Sequence, residues 1–114
     1  MRDVFYHNPA CSTSRKLAAL LKDAGRNPEV VEYLKTGWTP AQLQDLLQNL
    51  QLTARALLRT RGGLAEELGL LEGATEADIL TAMVAHPVLV ERPILVTSKG
   101  ARLCRPVEKA YEIL

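Results

Sequence analysis

The run "VFYHNPACSTSRKLAALLKDAG", from Val4 to Gly25, decides how the rest of the chain is read. Val4-Phe5-Tyr6 is a β-prone triplet, and Asn8-Pro9 ends it because the residue before a proline is pushed out of the helical region. Leu17, Leu20, Leu21 and Ala24 then recur at i, i+3, i+4 and i+7, which predicts a helix over residues 14–24 with Gly25 as its stop. A strand, a tight loop and a helix therefore follow one another directly, with Cys11 in the loop. Unpaired N–H groups and the positive end of the helix dipole favour an anion there, and a thiolate is such an anion. Cysteines at such places have pKa values of about 3.5–7.5, against about 8.5 when free. Ser12, Thr13 and Ser14 offer hydroxyl donors, Arg15 adds positive charge, and His7 is a further donor or positioning group. The same residues also fit a small buried thiol behind a generous helix cap, so the stretch alone leaves both readings open. His7 alone also fits a merely hydrogen-bonded strand-end histidine. With no Cys-x-x-Cys pair and no His-x-x-x-His spacing, no metal site is expected.

Outward from this stretch, residues 29–34 (Glu-Val-Val-Glu-Tyr-Leu) read as a second strand, reached through Asn27-Pro28 after one helix. A single crossover helix makes the two strands parallel, a βαβ unit. From Thr39 to about Pro87 the pattern is helical. Thr39, Pro40 and Gln42 form an N-terminal cap signature ahead of Leu43, Leu46, Leu47 and Leu50. Residues 54–61 read as a short helix broken by Gly62-Gly63, and Thr75 opens another with Ile79, Leu80, Met83 and Val84 as its apolar stripe. Residues 93–97 and 101–104 read as strands of a hairpin turning at Ser98-Lys99-Gly100, and residues 105–114 as a closing helix with Pro106 in its first turn. The expected fold is α/β: a thioredoxin-like mixed sheet with a helical insertion, about 39–87, between the N-terminal βαβ unit and the C-terminal β-hairpin plus helix. All of it would form one domain over residues 1–114.

Composition limits the function classes. The 114 residues are 47% hydrophobic, enough for one ordinary core. With 14 basic and 13 acidic residues the net charge is +1, so nothing global attracts nucleic acid or an anionic membrane. No window approaches the roughly 18 apolar residues of a membrane span, and the opening residues are too polar for a signal peptide. Free thiols at Cys11 and Cys104, and a cytoplasmic location, are the matching expectation.

Three arginines favour the reactive reading of Cys11. Arg59 ends the run Arg55-Ala-Leu-Leu-Arg59, Arg92 precedes Pro93 and a strand, and Arg105 follows the last strand. Element ends are where thioredoxin-like folds build their sites, and guanidinium forks hold tetrahedral oxyanions by charge-assisted bonds. Glu91 adjoins Arg92, where a carboxylate would draw on that arginine. Cys104 reads as a packed strand residue.

Taken together, "YHNPACSTSR" (6–15), "RALLR" (55–59), "HPVLVERPILVT" (86–97) and "RLCRP" (102–106) resemble the glutaredoxin-linked arsenate reductases. The resemblance implies that Cys11 is the catalytic cysteine, that Arg59, Arg92 and Arg105 bind the oxyanion, and that His7 and Ser14 lower the thiol pKa. It implies a cis peptide bond before Pro93, no bound cofactor, glutathione as co-substrate and glutaredoxin as partner. The implied chemistry is attack of the Cys11 thiolate on arsenate to form a thiol-arsenate adduct, which glutathione and glutaredoxin then reduce. Ser14 stands where a resolving cysteine would close a local disulfide, so the reductant must come from outside. Two alternatives stay open: a related thiol oxidoreductase acting on another substrate, and an Spx-like regulator binding RNA polymerase. The regulators generally carry a Cys-x-x-Cys switch where this chain has Cys11-Ser-Thr-Ser14, which argues against the second.

Overall fold

A computed structural model describes residues 2–114. The chain divides into two compact units, one made of residues up to Thr36 together with Arg92–Leu114, the other of Gly37–Glu91.

The first unit carries the sheet. β1 (Val4–Tyr6) leads through α1 (Ser12–Asp23) to β2 (Glu29–Val31), which pairs parallel to β1 as a single helical crossover requires. β3 (Ile94–Thr97) lies antiparallel on the other side of β1, and β4 (Gly100–Leu103) pairs antiparallel with β3, giving the order β2-β1-β3-β4. This is the thioredoxin-like mixed sheet. Phe5 of β1 faces Leu95 of β3 in register, and both join Leu17 and Leu21 of α1 with Cys104, Ala110 and Ile113 in one buried cluster. Fully burying each large apolar side chain contributes about 1.5–3 kcal/mol, so this cluster anchors α1, and Cys11 at its start, to the sheet.

Several expected boundaries shift. α1 begins at Ser12, two residues before the periodic leucines imply, because the polar Ser-Thr-Ser turn carries no apolar signal yet takes helical geometry. The chain leaves α1 through Gly25, whose φ of +72° is the left-handed conformation a helix stop uses. The second strand ends at Val31, and Tyr33–Thr36 forms a one-turn helix, α2, that puts the Tyr33 ring into the interior at 1% exposure. The β-prone side chains of Val30, Val31 and Tyr33 mimic a longer strand, and burial of one aromatic ring overrides them. The expected closing α-helix is a 3-10 helix, Val107–Glu112. It packs on α1, and the Thr97 hydroxyl donates to the Ile113 carbonyl at 2.6 Å to fasten its end.

The second unit is helical: α3 (Pro40–Leu50), α4 (Ala54–Leu57), α5 (Leu64–Glu67), α6 (Glu76–Ala85) and a 3-10 turn, Pro87–Leu89. Thr39 with Gln42 and Thr75 with Asp78 form complete capping boxes at the starts of α3 and α6. On α6 the buried face is Ile79 and Met83, while Leu80 and Val84 are only half-buried. The helix expected over 54–61 stops at Leu57, because Leu58 turns extended and bridges Val90 antiparallel. α5, a single turn between glycines, has no counterpart in the sequence pattern. Arg55 is structural: its guanidinium donates to the carbonyls of Leu70, Leu71 and Ala74.

Candidate active site

Cys11 caps the N-terminus of α1 with an extended backbone, φ −91° and ψ 124°. Its carbonyl accepts from the Arg15 N–H at 3.0 Å, and its own N–H donates to the Asn8 carbonyl at 2.9 Å. The Asn8 side chain tightens the same turn by accepting from the Ala10 N–H at 3.0 Å. No side-chain oxygen caps the helix, so a half-buried sulfur stands at the place where one would sit. Burial is the largest single influence on the thiol and pushes its pKa up. The Ser14 N–H, the Arg92 guanidinium, the Thr13 N–H and the charge of Arg92 together outweigh it, bringing the thiol down to about 7. The sulfur is therefore about half thiolate at neutral pH.

Arg92 is 8% exposed, and among the described residues its Nε and Nη1 have no hydrogen-bond partner although the guanidinium reaches the sulfur. A buried guanidinium with unspent donors is costly, and an incoming oxyanion would satisfy it. Its backbone is held firmly. The Arg92-Pro93 bond is cis, the Arg92 carbonyl accepts from Arg105 Nη1 at 3.0 Å, and the Pro93 carbonyl accepts from the Cys104 N–H at 2.8 Å. Arg105, itself followed by a cis bond to Pro106, thus ties its side chain to the backbone of Arg92.

His7 and Ser14 are also brought together. His7 Nδ1 lies 2.6 Å from Ser14 Oγ, and the fully buried Ser14 hydroxyl accepts from the Asn8 N–H at 3.0 Å. Burial lowers the His7 pKa, with Glu32 opposing and Arg15 reinforcing the shift. A neutral imidazole can accept the Ser14 proton at Nδ1. The serine hydroxyl therefore pins the loop, and the backbone N–H of Ser14 faces the thiol.

Cys11, His7, Ser14, Arg92, Pro93 and Arg105 all belong to the first unit, and Arg59 to the second. Arg59 Nη1 is 3.0 Å from Glu91 Oε1, and Arg61 Nη2 is 3.2 Å from Glu91 Oε2. Glu91, whose carboxylate was expected to draw on Arg92, pairs with Arg59 and Arg61. Sequence reading missed Arg61 and the Asn8 turn, of which only the Asn8-Pro9 pair carried a local signal. Cys104 is fully buried, and burial pushes its thiol up to about 12, so it is no nucleophile. Among the described residues no group of three or more His, Cys, Asp and Glu could hold a metal ion, and no helix is long and apolar enough to cross a membrane.

The ArsC family profile matches residues 6–113. The chain is 52% identical over 112 residues to an arsenate reductase of Synechocystis sp., covering 97% of this chain and 80% of that one. It is 44% identical over 110 residues to the arsenate reductase of Escherichia coli strain K12, covering 96% and 78%. Among solved structures, the arsenate reductase from Vibrio cholerae matches with a TM-score of 0.94 at 42% identity, covering 100% of this chain and 98% of that one.

Proposed function

The chain belongs to the ArsC family, and from that premise we propose that it is an arsenate reductase whose nucleophile is Cys11. The observation that carries the residue assignment is the pairing of a thiol at about 7 with a buried arginine whose Nε and Nη1 are unspent. Arsenate docks on Arg92, with Arg59 and Arg105 as the further oxyanion-binding arginines. The Cys11 thiolate attacks arsenic, an As–S bond forms, and an oxygen leaves as water after protonation. The arginines neutralise the charge that builds on the remaining oxygens. His7 and Ser14 support the thiolate by holding the loop that presents it.

Reduction follows with external thiols. Glutathione attacks the arsenic of the adduct and displaces a second oxygen as water. The glutaredoxin thiolate then attacks the glutathione sulfur, forming the mixed disulfide and breaking that As–S bond, and hydrolysis of the remaining bond to Cys11 releases arsenite and the free thiol. Two electrons pass from two thiols to arsenic(V), which becomes arsenic(III), and the thiols end as one disulfide. Support for an outside reductant comes from Ser14 occupying the position of a resolving cysteine and from the burial of Cys104. Chemistry that consumes reduced glutathione fits a cytoplasmic setting.

The test is NADPH oxidation dependent on arsenate in the presence of glutathione, glutaredoxin and glutathione reductase. Wild-type protein should turn over and Cys11→Ser should not. Absence of wild-type turnover, or full turnover by Cys11→Ser, would overturn the proposal.

A further inference from the structure

The second unit holds a charge cluster of which arsenate binding, as assigned above, uses only Arg59. The Glu91 side chain, 15% exposed, sits between the Arg59 side chain at 21% and the Arg61 side chain at 56%. Backbone geometry builds this arrangement. Across the Leu58–Val90 bridge the Arg59 N–H donates to the Leu89 carbonyl at 2.7 Å, and the Glu91 N–H donates to the Leu57 carbonyl at 2.9 Å. Arg59 and Glu91 therefore lie diagonally across the bridge, a spacing that long side chains span on one face. Arg59 and Arg61 also line one cavity of about 110 Å³ with Gly62, Leu64, Val88 and Leu89, so both cations border the same space.

The charges can be added. Glu91 paired with Arg59 alone would leave a neutral couple, and a neutral couple exerts little pull on an oxyanion. Arg61 takes the second carboxylate oxygen and returns the cluster to a net +1. We propose that Arg61, through Glu91, is the residue that sets the anion affinity of Arg59. It is a positioning and charge-compensating residue, and the inference rests on the reading that Arg59 binds the oxyanion.

The experiment measures arsenate KM and kcat in the coupled assay, using the full chain, for Arg61→Ala, Arg61→Lys, Glu91→Gln, Arg61→Ala/Glu91→Gln and Arg59→Ala. Because Arg61 is more than half exposed, its effect is bounded by that of a surface pair, which corresponds to at most about a fivefold change. Arg61→Ala should raise KM about three- to fivefold with kcat within about twofold, and the ratio to wild type should shrink in high salt. Arg61→Lys, which keeps the charge, should stay near wild type. The double variant should recover a KM close to wild type, because deleting both charges restores the net +1. That recovery separates charge balance from simple structural damage, which would accumulate. An Arg61→Ala variant with unchanged KM, or a double variant no better than Arg61→Ala, overturns the inference while an impaired Arg59→Ala leaves the oxyanion reading standing. An Arg59→Ala variant with unaltered arsenate kinetics overturns both.

Discussion

Replacing Arg92 by methionine tests the electrostatic design of the thiol most directly. Methionine keeps much of the buried volume of this 8%-exposed side chain and removes the guanidinium, so packing changes little while charge is lost. Arg92 lowers the Cys11 pKa twice, by a hydrogen bond to the sulfur and by its charge, whereas the Ser14 and Thr13 N–H groups remain in the variant. An opposite charge at contact range shifts a pKa by about 1–3 units, so the thiol should move from about 7 to about 8 or above. At pH 7 the thiolate fraction then falls from about one half to about one tenth or less, and iodoacetamide alkylation should slow about fivefold or more. The assay is the alkylation rate from pH 5 to 10 under pseudo-first-order conditions, with the plateau at high pH as an internal control. Below pH 7, where the thiol is protonated in both variants, stability should not fall, because the substitution also removes two buried donors that have no partner. An alkylation midpoint within about 0.3 units of wild type would refute the assignment of Arg92 as the guanidinium that holds the thiolate.

Two further outcomes concern the same loop. Ser14→Ala strips a hydrogen-bond partner from both His7 Nδ1 and the Asn8 N–H in a buried place, and should cost about 1–3 kcal/mol in urea unfolding; a loss below about 0.5 kcal/mol would contradict the role given to the hydroxyl. Cys11 is an acid whose folded pKa is depressed, so it contributes stability above the unfolded thiol value near 9 and loses that contribution as pH falls through about 7. The urea midpoint of wild type relative to Cys11→Ser should therefore rise between pH 6 and pH 9, and a flat difference would show that the thiolate is not stabilised by the fold.

Much of the architecture is legible locally. The capping boxes at Thr39 and Thr75, the stop at Gly25 and the strand break at Asn8-Pro9 each depend on residues within a few positions of one another. The errors cluster where tertiary packing competes with a short pattern. Tyr33 leaves the strand pattern to bury its ring, Leu58 leaves the helix pattern to bridge Val90, and the last turn tightens to a 3-10 helix on α1. Cys11 at a helix start is readable because a helix dipole acts within one turn.

What the chain determined by itself is a thiol at the head of an amphipathic helix, bounded by turn residues and followed by no resolving cysteine. Those features need only neighbours in sequence, since helix caps, periodicity and proline breaks are local physics. The tertiary structure decided which groups meet that thiol and on what terms. Arg92, far along the chain, reaches Cys11 because β3 lies beside β1, and Arg105 holds the Arg92 backbone because β4 returns along β3. Glu91 falls between Arg59 and Arg61 because a single backbone bridge closes over a stretch of more than thirty residues. Charge acts through space, and only the folded chain sets the distances.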